Sequence, residues 1–127
     1  MIEAAPISTG WLLTVPLGPS TNARMMPVRM GGHCQNILTK VARDYIENVG
    51  AQLAAWRVNM GFKPREGYFY FDYWIILPRT NADPSNYDKV LLDTFQRGGI
   101  ITNDRYALPR VMGVGYNSKR PEVTVRI

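Results

Sequence analysis

At 127 residues the chain is one domain's worth of polypeptide, long enough to bury most of its surface around a single core. Fifteen Lys and Arg against ten Asp and Glu leave a net charge of +5, which suits a polyanionic partner and equally suits plain solubility. Eleven of the fifteen are Arg, the side chain that grips phosphate through a planar fork. One cysteine, Cys34, excludes an internal disulfide framework and fits a reducing compartment. There is no secretory leader and no apolar run of membrane-span length, so a soluble, cytoplasmic protein without a membrane partner is expected.

Residues 1–9 read as a leader that frays. Trp11 to Val15 is a short apolar strand ending at Pro16, followed by a loop of turn formers from Leu17 to Asn22. Arg24 to Met30 is a short edge strand, because Pro27 cannot donate into a central ladder. Gly31, Gly32 and His33 make a flexible connection. His33 beside Cys34 resembles half a metal site, but no further Cys or His exists to complete it, so the pair is read as structural.

Gln35 to Trp56 carries a helical period, with Ile37, Val41, Tyr45, Val49 and Leu53 recurring every four residues and Leu38, Ala42 and Ile46 widening the stripe. Tyr68 to Leu77 is apolar or aromatic on both faces and predicts a central strand covered on each side. Asp72 within it needs a hydrogen-bond partner or an open face. The aromatic residues of this strand could stack nucleic-acid bases, although core packing is the default for so dense a run. Tyr106 to Leu108 and Arg110 to Tyr116 read as strand, and Arg110–Tyr116 and Glu122–Ile127 flank a polar turn and read as a terminal hairpin. The order predicts a single α+β domain, 1–127, with a mixed sheet and two main helices.

The chemistry concentrates between Asn81 and Arg105. Asp83 and Pro84 announce a helix start, and Gly98 and Gly99 its stop. At 100° per residue, Tyr87, Val90, Leu91, Thr94 and Phe95 fall within a sector of roughly 140°, a core-facing stripe. Asn86, Lys89 and Asp93 gather along one border of it. A Lys89–Asp93 pair at i,i+4 explains part of that clustering, but Asp83 at the helix mouth and Asp104 just beyond its end add two further acids. Phosphate-cradling glycine loops and nucleophilic triads have no material here. What remains is oxygen chemistry, the donor type preferred by a hard cation such as Mg²⁺.

The pattern Asp83, Asn86, Lys89, Asp93, Phe95, Gly99, Ile100-Ile101, Asn103-Asp104 resembles the RusA-type Holliday junction resolvases, and in outline the rest of the chain follows, including the turn Pro19-Ser20-Thr21-Asn22. That family consists of small, Mg²⁺-dependent, homodimeric endodeoxyribonucleases frequent in bacteriophages and prophages. The resemblance implies a RusA-like fold, four-way branched DNA as substrate, Mg²⁺ (with Mn²⁺ as substitute) as cofactor, and a bacterial or phage-infected cell as setting. It implies that Asp83 and Asp104 ligate the metal, that Lys89 is catalytic with them, and that Asn86, Asp93 and Asn103 support the site. The chain departs from the family at Ser85, where a second acid is usual, and at Asn103, where the family pairs two aspartates. A water held by Ser85 could take the missing carboxylate's place. Arg24, Arg29, Arg79, Arg105, Lys119 and Arg120, spread over loops and edges, are the expected DNA contacts. The alternative is a weakened or inactive homologue that binds branched DNA as a dimer, its acids serving only to cap and pair the helix.

Overall fold

The computed structural model describes residues 2–20 and 25–127, the side chains at positions 30 and 33–36 excepted. In chain order the elements are β1 (Glu3–Ile7), β2 (Gly10–Pro16), β3 (Met25–Met30), β4 (His33–Leu38), α1 (Lys40–Met60), β5 (Phe69–Leu77), α2 (Asp88–Arg97), β6 (Ala107–Tyr116) and β7 (Glu122–Arg126). Short 3-10 turns at Pro84–Tyr87 and Asp104–Tyr106 flank α2. Five strands form one mixed sheet in the order β1-β2-β7-β5-β6, while β3 and β4 form a separate two-stranded sheet. The expected α+β class is the class observed.

The two helices cover one face of the large sheet. Leu13 and Val15 of β2, Phe71, Tyr73, Ile75 and Leu77 of β5, and Val123 and Val125 of β7 point into a core completed by Val49 and Leu53 of α1 and Leu91, Leu92 and Phe95 of α2. Phe71 meets Phe95 edge to face, with centroids 5.3 Å apart, an arrangement aromatic rings favour over direct stacking. Alternation along β5 sends Tyr70, Asp72 and Trp74 to the other face, where Tyr70 and Trp74 remain exposed. The expectation of a strand covered on each side is therefore corrected: β5 is interior to the sheet, but only one of its faces is buried. The dense aromatic run hid an ordinary two-sided alternation.

Four further expectations change. The supposed leader is β1, which pairs antiparallel with β2 from Glu3↔Thr14 to Ile7↔Gly10. The first helix starts at Lys40 rather than Gln35, because residues 33–38 turn back to pair with β3 and Thr39 caps the helix, accepting the Ala42 amide through its hydroxyl at 3.2 Å. Gly31 and Gly32 both adopt positive φ, as a tight two-residue hairpin turn requires. The helix then runs on past Trp56 to Met60, and its buried stripe is Ala42, Ile46, Val49 and Leu53, with Val41 exposed. Finally, β6 and β7 are not a hairpin. β7 inserts antiparallel between β2 and β5, and β6 runs parallel to β5 on its other side. Arg24, with Thr21 and Asn22 of the expected turn, lies outside the described residues.

A parallel β5–β6 pair needs a crossover, and α2 supplies it. The helices approach closely where α2 ends. A Cβ on Gly98 would lie 2.6 Å from the Cβ of Leu53 and 3.1 Å from the Gly50 carbonyl oxygen, so both glycines are consumed by the contact between α1 and α2. The backbone of Gly98 is ordinary (φ −75), so alanine there is excluded by space alone. Gly98→Ala should therefore lower stability by about 1–3 kcal/mol, the usual cost of overpacking. Urea unfolding measures it, and an unchanged midpoint would show that the helices can part without penalty.

Candidate functional site

The stretch between β5 and β6 folds back along α2 and gathers the polar residues in two adjoining groups. In the first, Asp83 caps the opening 3-10 turn: its Oδ1 accepts the Ser85 amide at 3.0 Å and the Ser85 hydroxyl at 2.9 Å. The Asn86 amide donates to the Asp83 backbone carbonyl at 3.1 Å. Asp83 and Ser85 are both exposed. Asp88, at the start of α2, accepts the hydroxyl of Tyr73, which rises from the buried face of β5. Burial holds the Asp88 carboxyl above the usual aspartate range, and the nearby negative charge of Asp83 pushes the same way. The Tyr73 hydrogen bond opposes both and loses. Burial and the two acids in turn push the Tyr73 phenol well up.

The second group is built on Lys89. Its ammonium lies 3.2 Å from Asp93 Oδ1, one helical turn on, and donates a short hydrogen bond to Asp104 Oδ2. Asp104 is presented by the second 3-10 turn. Asn103 caps that turn by accepting the Arg105 amide at 3.0 Å, and the Asp104 amide donates to Gln96 Oε1 at 2.9 Å. The hydrogen bond to Asp104 raises the Lys89 pKa above its ordinary value, so at neutral pH this amine is a held positive charge and not a proton acceptor. Beside the pair is an open depression lined by Leu38, Ile46, Asp93, Gln96 and Arg97.

The structure thus brings Lys89, Asp93 and Asp104 into contact, with Asn103 in support. Asp83, Ser85 and Asn86 sit in the neighbouring group, joined to Lys89 through the opening turn of α2. The donor set is all oxygen, which fits a hard cation in kind. In arrangement, the position between Asp93 and Asp104 is taken by the Lys89 ammonium, and among the described residues no three His, Cys, Asp or Glu side chains are grouped to hold a metal ion.

The expected DNA contacts do not form one patch. Arg29 is exposed on β3. Arg79 and Lys119 lie at the end of the large sheet where Leu77 pairs with Tyr116. Arg120 is engaged by Glu3 at 2.8 Å and Glu122 at 3.3 Å. Arg105 stands at the other end, its guanidinium 4.6 Å from the Tyr106 ring centroid. Two basic residues that sequence reasoning passed over, Arg110 and Arg126, converge instead on Asp72. Asp88 was also missed. The signal available was Tyr73 on the core-facing register of a strand, a buried hydroxyl that must find an acceptor.

No protein-family model matches the chain, and no curated protein sequence matches it. No helix is long and apolar enough to cross a membrane among the described residues.

The raised pKa of Asp88 makes a stability prediction. A carboxyl whose folded pKa lies above its unfolded one costs stability once it ionises, and the cost vanishes below the unfolded value, where both states are protonated. Asp88→Asn keeps an acceptor for Tyr73 and removes the charge. It should melt above the wild type at pH 7, with the difference closing as the pH falls through the ordinary aspartate range. Parallel melting curves at the two pH values check this; a deficit at pH 7 would mean that the Asp88 charge is itself a structural requirement.

Proposed function

We propose that this chain is a Mg²⁺-dependent, structure-selective endodeoxyribonuclease that cuts four-way DNA junctions and works as a homodimer, within the cytoplasm of a bacterial or phage-infected cell. The observation that carries the reading is the Lys89 ammonium held between Asp93 and Asp104 beside the acid-bearing first turn of α2. The RusA-type pattern of the sequence supports it, since Lys89, Asp93 and Asp104 are three of that pattern's polar positions and contact one another directly.

In this reading Asp83 and Asp104 hold the ion, Mg²⁺ or Mn²⁺. When bound, it supplies Lewis acidity toward a phosphodiester and a reactive water at neutral pH. Ser85 orients Asp83 through two bonds to the same carboxylate oxygen, leaving the other oxygen to face a ligand. Asp93 would still hold Lys89 if Asp104 were engaged by the ion. The ammonium then faces the scissile phosphate and stabilises the negative charge that grows on it. Asn103 and Gln96 fix the turn that carries Asp104.

A second reading has specific support. Asp83 is engaged as a cap, Ser85 stands where the family has an acid, and Asp104 is already neutralised by Lys89. These favour a protein that binds branched DNA and cuts it weakly or not at all.

Single-turnover cleavage of a labelled synthetic junction, with and without Mg²⁺, measured beside binding, separates the two. Lys89→Ala should bind nearly normally but cut a hundredfold or more slowly, the typical loss of an electrostatic contact made in the transition state. A mutant that cuts at the wild-type rate removes Lys89 from the mechanism. If the wild type binds but never cuts, the binding reading stands, and Ser85→Asp is the substitution to test for rescue. Mn²⁺ should also raise the melting point of the wild type, and Asp83→Asn and Asp104→Asn should each lose most of that rise; an unchanged response in both would sink the site.

A further inference from the structure

The face of the large sheet that the helices leave open carries a row of rings and cations. Alternation places Tyr68, Tyr70, Asp72 and Trp74 on it from β5 and the residue before it, with Leu108 and Arg110 beside them on β6 and Arg126 on β7. Tyr68 is 73% exposed and Tyr70 60%. Tyr70 and Trp74 are each paired with a guanidinium, and Tyr68 touches a ring that is. Arg110 lies 3.7 Å from the Tyr70 centroid and Arg126 5.5 Å from that of Trp74. Arg105 lies over Tyr106, which packs edge to face on Tyr68 at 5.1 Å.

The cations are held in place by one buried acid. Asp72, 4% exposed, accepts Arg110 Nε at 2.6 Å and an Arg126 amine at 2.5 Å. One carboxylate against Arg105, Arg110 and Arg126 leaves the row with an excess of positive charge. Beyond Ile76 the nearest arginine of the sheet, Arg120, is held by Glu122 and Glu3, so the row of rings and cations runs from Tyr68 to Trp74. Room for the indole is made by Gly113: a Cβ there would stand 2.8 Å from Trp74 Cδ1.

We propose that this face is a docking track for single-stranded nucleic acid, its bases stacking on Tyr68, Tyr70 and Trp74 and its phosphates meeting Arg105, Arg110 and Arg126. Aromatic platforms interleaved with cations bind unpaired strands because every base offers a ring face and every phosphate a charge. Spacing selects the unpaired state. Rings two residues apart on a strand are about 6.6 Å apart, roughly twice the rise of a stacked duplex strand, so only bases free to separate can occupy neighbouring rings. A second copy of the chain fits less well, since a two-fold contact would set this cationic row against itself. The β6 edge is also blunted against strand addition by Pro109 and by the register shift opposite Tyr73 and Trp74. The rings of the track lie on the open face of the sheet, away from Lys89. Arg105 shares a 3-10 turn with Asp104, so the ring substitutions are the ones that test the track alone.

The test is fluorescence anisotropy of a labelled oligothymidylate, in chelator so that no cleavage can occur, against a blunt duplex of equal length. The wild type should prefer the single strand. Tyr70→Ala and Trp74→Ala should each weaken binding roughly 5- to 150-fold, the range for loss of one base–aromatic stack. Tyr70→Leu, which keeps an apolar side chain at the exposed site, should weaken it too while melting like the wild type. Equal affinity for duplex, or indifference to both ring substitutions, would overturn the proposal. So would sedimentation showing a wild-type dimer that Tyr70→Ala and Trp74→Ala dissociate, which would give the face to a second copy. A wild type that binds the oligonucleotide but never cuts a junction would leave this track standing and remove the nuclease.

Discussion

The parallel pairing of β5 with β6 is the constraint from which the candidate site follows. Strands that run the same way cannot be joined by a tight turn, so the chain must leave the end of β5, cross the covered face and return to the start of β6. The crossing is α2, and its burial is strong: Val90, Leu91, Leu92, Thr94 and Phe95 are all buried. Because the crossing is short, the segment that returns to β6 has to run back beside the helix that has just ended. That is why Asp104, fifteen residues beyond Lys89, is within reach of it. Gly98 and Gly99 end the helix, and Gly99, at positive φ, turns the chain toward Ile100 and Ile101, whose burial anchors the return. The polar contacts are thus positioned by apolar burial.

Asp72 shows the same dependence in reverse. A carboxylate in the middle of an interior strand is costly unless it is paired, and here it is paired twice. The hydrogen bonds, that from Arg110 foremost, hold its carboxyl below the usual aspartate range despite its burial. The two guanidiniums have their own constraint: they stand over rings that keep them on the sheet surface. Removing one arginine would leave Asp72 with the other, but at the expense of the geometry that orders both.

What could be read from the residues was local. The apolar stripe of α2 and the Lys89–Asp93 spacing depend on neighbours within one or two turns, and both are found in the structure. Asp83, expected to start the helix, instead caps a 3-10 turn, and α2 begins only at Asp88. The start of α1 was misread because Ile37 and Leu38 fit the helical period as well as they fit β4, and only pairing with β3 separates the two. The terminal hairpin failed for a different reason. Arg110–Tyr116 and Glu122–Ile127 have the composition of adjacent strands, but β7 is better used between β2 and β5, where Val123 and Val125 are buried on entry. That choice is made by partners far apart in sequence, Trp11 and Ile127 among them, which exchange backbone hydrogen bonds of 2.8 Å. The arginines of the open face were invisible for the same reason, since nothing in the chain's local order brings Arg110 and Arg126 to Asp72.

Charge at the candidate site is the last step. Asp83, Asp88, Asp93 and Asp104 lie about α2, with Lys89 paired to the last two, so acids gather here within a chain whose net charge is +5. A phosphodiester brought near α2 meets repulsion from the acids while the arginines elsewhere attract its neighbours. Two devices reduce that repulsion from within: Lys89 neutralises the Asp93–Asp104 side, and the raised pKa of Asp88 eases its protonation beside Asp83. Neither removes the charge of Asp83. In the proposed nuclease reading the arginines would attract a nucleic acid, but close approach of a phosphate to α2 would call for an added positive charge, and a divalent cation is the form of it that carboxylate oxygens accept. In that reading, binding would be set by arginines and cutting by what the aspartates can hold, so the two would be separable.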